Sequence, residues 1–228
     1  MVKPILFNSD MVRAILEGRK TVTRRVIKPQ FKISLEGTEF ECRHEKGFWD
    51  MGNNEWACRR CGYGVKVITG GSWIHAPYCP GDIMYVRETW HKYEKRVGKG
   101  ENSHMAEFYG YKASVANSED ASEKWRPSIH MPKEAARIWL RVVSVRLERL
   151  QGISNEQIIK EGARQEKINS YIAQMPEKTE VWTNAAYALE WMQIWDSTVK
   201  KKDLDTYGWT ANPWVWVIEF ERCEKPEE

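Results

Sequence analysis

The chain has 228 residues, of which 42% are hydrophobic and 29% are charged, and this composition excludes a disordered or fibrous protein. The 35 basic and 32 acidic residues give a formal net charge of +3, so the overall charge does not favour tight, nonspecific binding to duplex nucleic acid. No segment approaches the roughly 18 apolar residues of a membrane span and no secretory leader is evident, which predicts one cytoplasmic domain over residues 1–228.

The first periodic segment predicts a short amphipathic helix over residues 10–17. Val12, Ile15 and Leu16 fall on one stripe of this helix, and Ser9 is the expected N-cap. Gly18 follows where a left-handed residue commonly ends a helix. The predicted helix therefore ends immediately before a strongly basic segment.

That basic segment, GRKTVTRR at residues 18–25, combines four cations with two hydroxyl groups. Such a cluster can hold phosphate and place a nucleophile beside it. The alternative is a solvated basic turn, since most charge runs face water. The four cations, which are the candidate ligand-binding residues here, are Arg19, Lys20, Arg24 and Arg25.

Residues 36–80 interrupt the apolar periodicity and contain four of the five cysteines, which indicates an insertion. A CxxC pair with two flanking cysteines, in a segment without an evident core, favours a structural zinc ion over disulfides. The predicted zinc ligands are Cys42, Cys58, Cys61 and Cys79, with His44 or His75 as an alternative to one cysteine.

A near-continuous apolar run predicts a buried strand over residues 82–87. The residues at its end, Arg87, Glu88 and Trp90, are candidates for binding a substrate, because arginine clamps phosphate and tryptophan stacks on bases. The alternative places Arg87 and Glu88 at the surface and Trp90 in the core. Residues 92–127 predict a loop or a peripheral hairpin.

The next two elements have clear local signals. Residues 137–150 alternate as a strand whose phase shifts near Ser144, which predicts a bend or bulge. A helix begins at Ser154, whose side chain forms a capping box with Gln157, and it ends near Gly162.

The C-terminal region predicts a longer helix over residues 184–200 and a final strand over residues 214–221. Strands separated by helices of unequal length favour an α+β fold, here a small β-barrel with flanking helices. The residues expected on the buried face of the helix are Ala185, Leu189, Met192 and Trp195.

Several segments together resemble the ASCH domain family of the PUA-like superfamily, in particular its phage and prophage branch. The segments that carry the resemblance are residues 16–25, 80–90, 127–132, 153–162 and 212–220. The resemblance implies a PUA-like β-barrel that binds RNA or a modified nucleotide in a cleft.

In small bacterial relatives, the resemblance also implies an amidohydrolase that deacetylates 4-N-acetylcytidine with a lysine, a threonine and a glutamate. By motif position these residues fall on Lys20, Thr23 and Glu161. The long segment between Arg25 and Gly81 departs from the compact hydrolases, which leaves a lid, an added specificity surface or an abolished site open. A nuclease and a phage interaction or assembly protein are the remaining alternatives.

Overall fold

A computed structural model describes residues 1–28, 30, 39–41, 46–48, 66–69, 72–115 and 124–227. Within this part of the chain the fold is α+β, as the sequence predicts. The strands are β1 (Val2–Leu6), β2 (Val22–Val26), β3 (Glu39–Glu41), β4 (Lys46–Phe48), β5 (Lys66–Thr69), β6 (Ser72–His75), β7 (Ile83–Arg87), β8 (Trp90–Val97), β9 (His104–Tyr111), β10 (Trp139–Arg149) and β11 (Trp214–Cys223). The helices are α1 (Ser9–Leu16), α2 (Asn155–Lys160), α3 (Gln165–Gln174), α4 (Glu180–Thr198) and α5 (Leu204–Tyr207).

The largest sheet is mixed and has five strands in the order β1-β7-β10-β11-β2. β1 runs parallel to β7, whereas β10 is antiparallel to β7 and β2 is antiparallel to β11. No pairing among the described strands joins β1 to β2, so the sheet lacks the closure that the predicted barrel requires. β3 to β6 form a separate four-stranded sheet within the predicted insertion, and β8 pairs with β9 as a hairpin.

The chain divides into two compact units. The first comprises residues 1–18, 83–141 and 222–228, and the second comprises residues 19–82 and 142–221. Among the described residues, no helix is long and apolar enough to cross a membrane.

In the first unit, α1 begins one residue earlier than predicted. Asn8, not Ser9, is the N-cap, because its side chain accepts a hydrogen bond from the Met11 N–H at 2.9 Å. Gly18 adopts a φ of 76° and ends the helix in the left-handed conformation, as predicted. The predicted peripheral hairpin is confirmed as β8 and β9.

In the second unit, helices α2 to α4 pack against β2 and β11 around one hydrophobic cluster. The capping box of Ser154 and Gln157 is confirmed, with α2 beginning immediately after it. β11 is buried on both faces: Val215 and Val217 belong to this cluster, and Trp216 and Ile218, on the opposite face, are buried as well. Ser144 and Val145 are consecutive buried residues of β10, which confirms the predicted phase shift.

The buried face predicted for the long helix is correct only at Trp195. Ala185 is exposed, and Leu189 and Met192 are only half-buried. Two tryptophans decide the rotation, because each buries more apolar area than a leucine or methionine. The buried residues of α4 are Ala186, Glu190, Trp191 and Trp195.

Candidate anion-binding site

Lys20 lies at the centre of a buried ionic cluster in the second unit, with only 2% of its surface exposed. Its Nζ donates hydrogen bonds to the Val22 carbonyl at 2.7 Å, the Glu161 carbonyl at 2.8 Å and the Glu161 carboxylate at 2.8 Å. Three acceptors match the three N–H groups of an ammonium ion. This geometry therefore fits the protonated form of Lys20.

Glu161 joins Lys20 to Arg24. The second carboxylate oxygen of Glu161 accepts a hydrogen bond from Arg24 Nη1 at 3.1 Å, and both residues are at least 96% buried. Arg24 Nη2 donates to Glu148 at 2.9 Å and to Gln157 at 2.6 Å. Among the described residues, Arg24 Nε has no hydrogen-bond partner.

Local structure explains why residues distant in sequence meet here. Glu161 is the C-cap of α2 and precedes Gly162, whose φ of 99° ends the helix. The Thr21 N–H donates to the Lys160 carbonyl at 2.9 Å, and Arg19 Nη1 donates to the Gly162 carbonyl at 2.9 Å. These contacts attach the end of α2 to the residues that precede β2, and thereby place Glu161 beside the lysine.

Burial sets the electrostatics of the cluster. It lowers the pKa of Lys20, against the opposing effect of Glu161. Burial also lowers the pKa of Arg25 and raises that of Tyr78, and these two groups influence each other. Burial makes the charged forms of these groups less stable. An anionic ligand at this site interacts more strongly with the cations, because few water molecules screen their charge.

Thr23, the proposed nucleophile, is buried in β2 opposite Ile218 of β11. Because side chains alternate along a strand, Thr23 lies on the face opposite to Arg24. The structure thus brings together Lys20, Arg24 and Glu161, and places Thr23 on the other side of the same strand.

A cavity of about 260 Å³ adjoins the cluster through Arg24. Lys28 lies over the Tyr207 ring, with 4.3 Å between Nζ and the ring centroid. Among the described residues, the side-chain ammonium groups of Lys28 and Lys200 have no hydrogen-bond or ion-pair partner. The residues that line the cavity are Arg24, Arg25, Val26, Lys28, Trp195, Thr198, Val199, Lys200, Asp203 and Tyr207.

Four basic residues and one acidic residue therefore line this cavity, with two aromatic residues beside them. Arg24 already pairs with Glu161 and Glu148, so Lys28 and Lys200 contribute positive charge that these carboxylates do not balance. Sequence reasoning identified Arg24 and Arg25 but missed Lys28 and Lys200. The run of lysines at residues 200–202 was the available signal. Lys28 and Lys200 could be assigned to the cavity only once the end of α4 was seen to lie beside the end of β2. Local sequence patterns do not reveal that contact.

The remaining candidates lie in the first unit. Both Glu88 oxygens accept hydrogen bonds from Arg137, at 2.8 Å from Nε and 3.0 Å from Nη2. Arg87 donates to the Ile129 carbonyl. Trp90 is buried in a cluster with Met131 and Ala135, as the alternative interpretation of this tryptophan expected.

Only one of the predicted zinc ligands falls on described residues. Cys79 is half-buried, and its backbone N–H donates to the Asp82 carboxylate at 3.0 Å. Cys42, Cys58 and Cys61 lie outside the described residues. Across the described ranges, no group of three or more His, Cys, Asp or Glu residues is placed to hold a metal ion.

Compared with known protein families, curated proteins and solved structures, the chain shows no significant match to any of them.

Proposed function

We propose that the protein binds RNA or a nucleotide and seats a phosphate group in the cavity lined by Arg24, Arg25, Lys28 and Lys200. The observation that carries this proposal is the buried Lys20–Glu161–Arg24 cluster beside a cavity with an excess of positive charge. The function agrees with what the ASCH resemblance implies.

The energetics of burial support a functional interpretation. Removing a lysine, an arginine and a glutamate from water costs several kcal/mol per ion, and apolar residues of similar volume commonly serve stability as well or better. Perturbed ionisable groups beside a cavity are a typical feature of ligand sites. The cluster is therefore better explained by binding than by folding alone.

The lining of the cavity favours a nucleotide among anions. Arginine and lysine recognise phosphate oxygens, and the ring of Tyr207 provides a surface for a base or sugar. A volume of about 260 Å³ is at the small end for a complete ligand site. It suits part of one nucleotide, with the remainder of the ligand outside the cavity.

A PUA-like architecture is part of this proposal. The mixed sheet and the placement of Glu161 beside Lys20 support it, whereas barrel closure is missing from the described strands. The relationship to the ASCH family that we propose therefore rests on the sequence motif at residues 16–25 and on the contact between α2 and the start of β2.

The proposal is tested by fluorescence anisotropy with a labelled 12-nucleotide single-stranded RNA. Replacing Lys28 and Lys200 together by Gln is expected to weaken binding about tenfold, or roughly 1.4 kcal/mol. The slope of log affinity against log salt becomes shallower by about 1 for each lost phosphate contact. Equal affinity in this variant and the parent protein would refute the phosphate pocket.

A matched control is available in the neighbouring lysines. Lys201 and Lys202 carry the same charge but do not line the cavity. Replacing both by Gln removes the same total charge, so a general electrostatic effect weakens binding equally in the two double variants. A site-specific effect is confined to the Lys28 and Lys200 pair.

A second candidate function is the deacetylation of 4-N-acetylcytidine. The observation that favours it is the fully buried Lys20 with its lowered pKa, which is the direction that a lysine base requires. Incubation with acetylcytidine, followed by mass spectrometry, is expected to show loss of the acetyl group in the parent protein and not in Lys20→Met. Intact nucleoside, under conditions where a known hydrolase acts, would exclude this activity.

The cysteine-rich segment is our proposed site for one structural zinc ion. Elemental analysis of purified protein is expected to give about one zinc per chain, and Cys79→Ser is expected to lower this content. Cys223→Ser, outside the segment, serves as the control. Equal zinc content in both variants would argue against Cys79 as a ligand.

A further inference from the structure

The hairpin of β8 and β9 has two faces with different roles. All eight residues of each strand pair in register, from Trp90 opposite Tyr111 to Val97 opposite His104. The face that carries Trp90, Tyr109 and Tyr111 packs against Met131 and Ala135. Because side chains alternate, the other face points away from this cluster.

This second face carries a row of aromatic rings instead of the polar residues usual on a solvated strand face. His91 stacks on Tyr93 with 5.2 Å between centroids and 19° between planes, and Tyr93 stacks on Phe108 at 5.8 Å and 26°. Trp125 extends the row with its edge against His91 at 4.7 Å. Tyr93 and Phe108 remain 37% and 36% exposed.

Gly110 shapes one end of the row. It lies opposite His91 in the hairpin, and a Cβ atom there would come within 1.7 Å of His91 Nε2. The imidazole therefore lies directly over the strand backbone, which continues the aromatic surface at the level of Tyr93. A side chain at position 110 would displace the ring.

Both carboxylates of the two strands lie on the same face of the hairpin. The carboxylates of Glu94 and Glu107 lie on the packed face, where Glu107 pairs with Lys92. The ring-bearing face of the two strands carries Lys95 and no carboxylate among its described side chains. A surface with exposed rings and a lysine suits an anionic ligand with apolar, planar groups better than an acidic or neutral surface would.

We propose that the row of His91, Tyr93 and Phe108 is a stacking surface for the bases of single-stranded nucleic acid, with Lys95 near the phosphates. Every base has an aromatic face, so such a platform binds strands with little sequence preference. A duplex hides those faces within its own stack and is not a ligand for this surface. This site uses residues of the first unit only and does not depend on the phosphate cavity.

Stabilisation of the hairpin is the competing explanation, since cross-strand aromatic pairs support a two-stranded sheet. That role predicts that loss of the rings lowers the melting temperature and leaves binding unchanged. The two explanations are therefore separated by measuring binding and stability on the same variants.

The test is fluorescence anisotropy with labelled (U)12 RNA and with a matched 12-base-pair duplex. The Tyr93→Leu/Phe108→Leu variant keeps apolar side chains but removes both rings, and it is expected to bind (U)12 at least about tenfold more weakly. Tyr93→Phe retains the ring and is expected to bind as the parent protein does. Met105→Ala, an exposed apolar residue on the opposite face, is the matched control.

Three results would overturn the proposal. They are unchanged (U)12 affinity in a folded Leu double variant, equal loss in Met105→Ala, and absence of (U)12 binding in the parent protein. Binding of a mononucleotide reports on the phosphate cavity alone and is expected to be insensitive to the ring variants. Failure of this proposal is thus distinct from failure of the phosphate site.

Discussion

Two buried carboxylates, Glu161 and Glu88, form similar ion pairs in different surroundings, and the comparison helps to separate a structural role from a ligand-binding role. Each accepts hydrogen bonds from an arginine and each is almost wholly buried. Glu88 meets one arginine in a bidentate pair, whereas Glu161 meets both Lys20 and Arg24. Glu148 also pairs with Arg24, so the charges are balanced in both units, and the difference is that the cluster around Glu161 adjoins a cavity with further cations.

The balanced pair also saturates its arginine. Arg137 donates through Nε and Nη2 to Glu88 and through Nη1 to Ser114 at 2.7 Å, and its guanidinium lies 4.0 Å from the Tyr111 ring centroid. Little hydrogen-bonding capacity remains for a ligand, which indicates a structural role. Arg24 donates as many hydrogen bonds, but it borders a cavity with further cations around it. Burial alone thus says less about function than an excess of one charge beside a cavity.

The largest expected effect is from Glu161→Gln. This change leaves Lys20 buried without a carboxylate and Arg24 with Glu148 alone, so the free energy of unfolding is expected to fall by about 3–5 kcal/mol. Urea denaturation at pH 7 measures it. A loss below about 1 kcal/mol would show that the two cations are neutralised in another way.

Glu88→Gln sharpens the comparison. Arg137 is 27% exposed, so water can solvate its charge after the carboxylate is lost. The expected loss is about 1–3 kcal/mol, with unchanged affinity for single-stranded RNA. If this variant unfolded as readily as Glu161→Gln, exposure of the arginine would not be the deciding difference.

The pH dependence of stability provides a smaller test. Because burial lowers the pKa of Lys20, the unfolded state binds more protons between the folded pKa and the ordinary value of 10.5. The contribution of Lys20 to stability is therefore expected to increase as pH rises through this window, by at most about 1.4 kcal/mol per pH unit. Unfolding of the parent protein and Lys20→Met, compared at several pH values up to 10.5, measures the difference.

Lys160 provides the control of opposite sign. It is exposed, and its hydrogen bond to Glu156 raises its pKa. Stability from this group is fully present below the unfolded pKa and is lost as pH rises through the folded pKa. Equal slopes for Lys20→Met and Lys160→Met would contradict the assignment for Lys20.

The smallest effect is expected from Lys92→Gln on the hairpin. Its ion pair with Glu107 is exposed on both sides, so water and salt screen it. Replacing Lys92 is expected to leave the free energy of unfolding nearly unchanged. A larger loss in thermal denaturation would mean that the hairpin depends on this pair.

Some features follow from the sequence because their causes are local. The capping box at Ser154 joins residues three positions apart, and Gly18 supplies a conformation that few other residues adopt. The buried strand β7 follows from its near-continuous apolar run, and the hairpin was one of two alternatives for residues 92–127. The basic segment before β2 is likewise evident without a structure.

Only the tertiary structure decided how these pieces combine. Local patterns did not predict β2 as a strand or α3 as a helix, and they gave α4 the wrong buried face. The pairing of Lys20 with Glu161 joins residues 141 positions apart, and here the sequence contributed only through the family resemblance. The cavity forms only where the end of α4 meets β2. The burial of a residue, the charge around a cavity and the exposure of a ring all depend on neighbours that folding brings together.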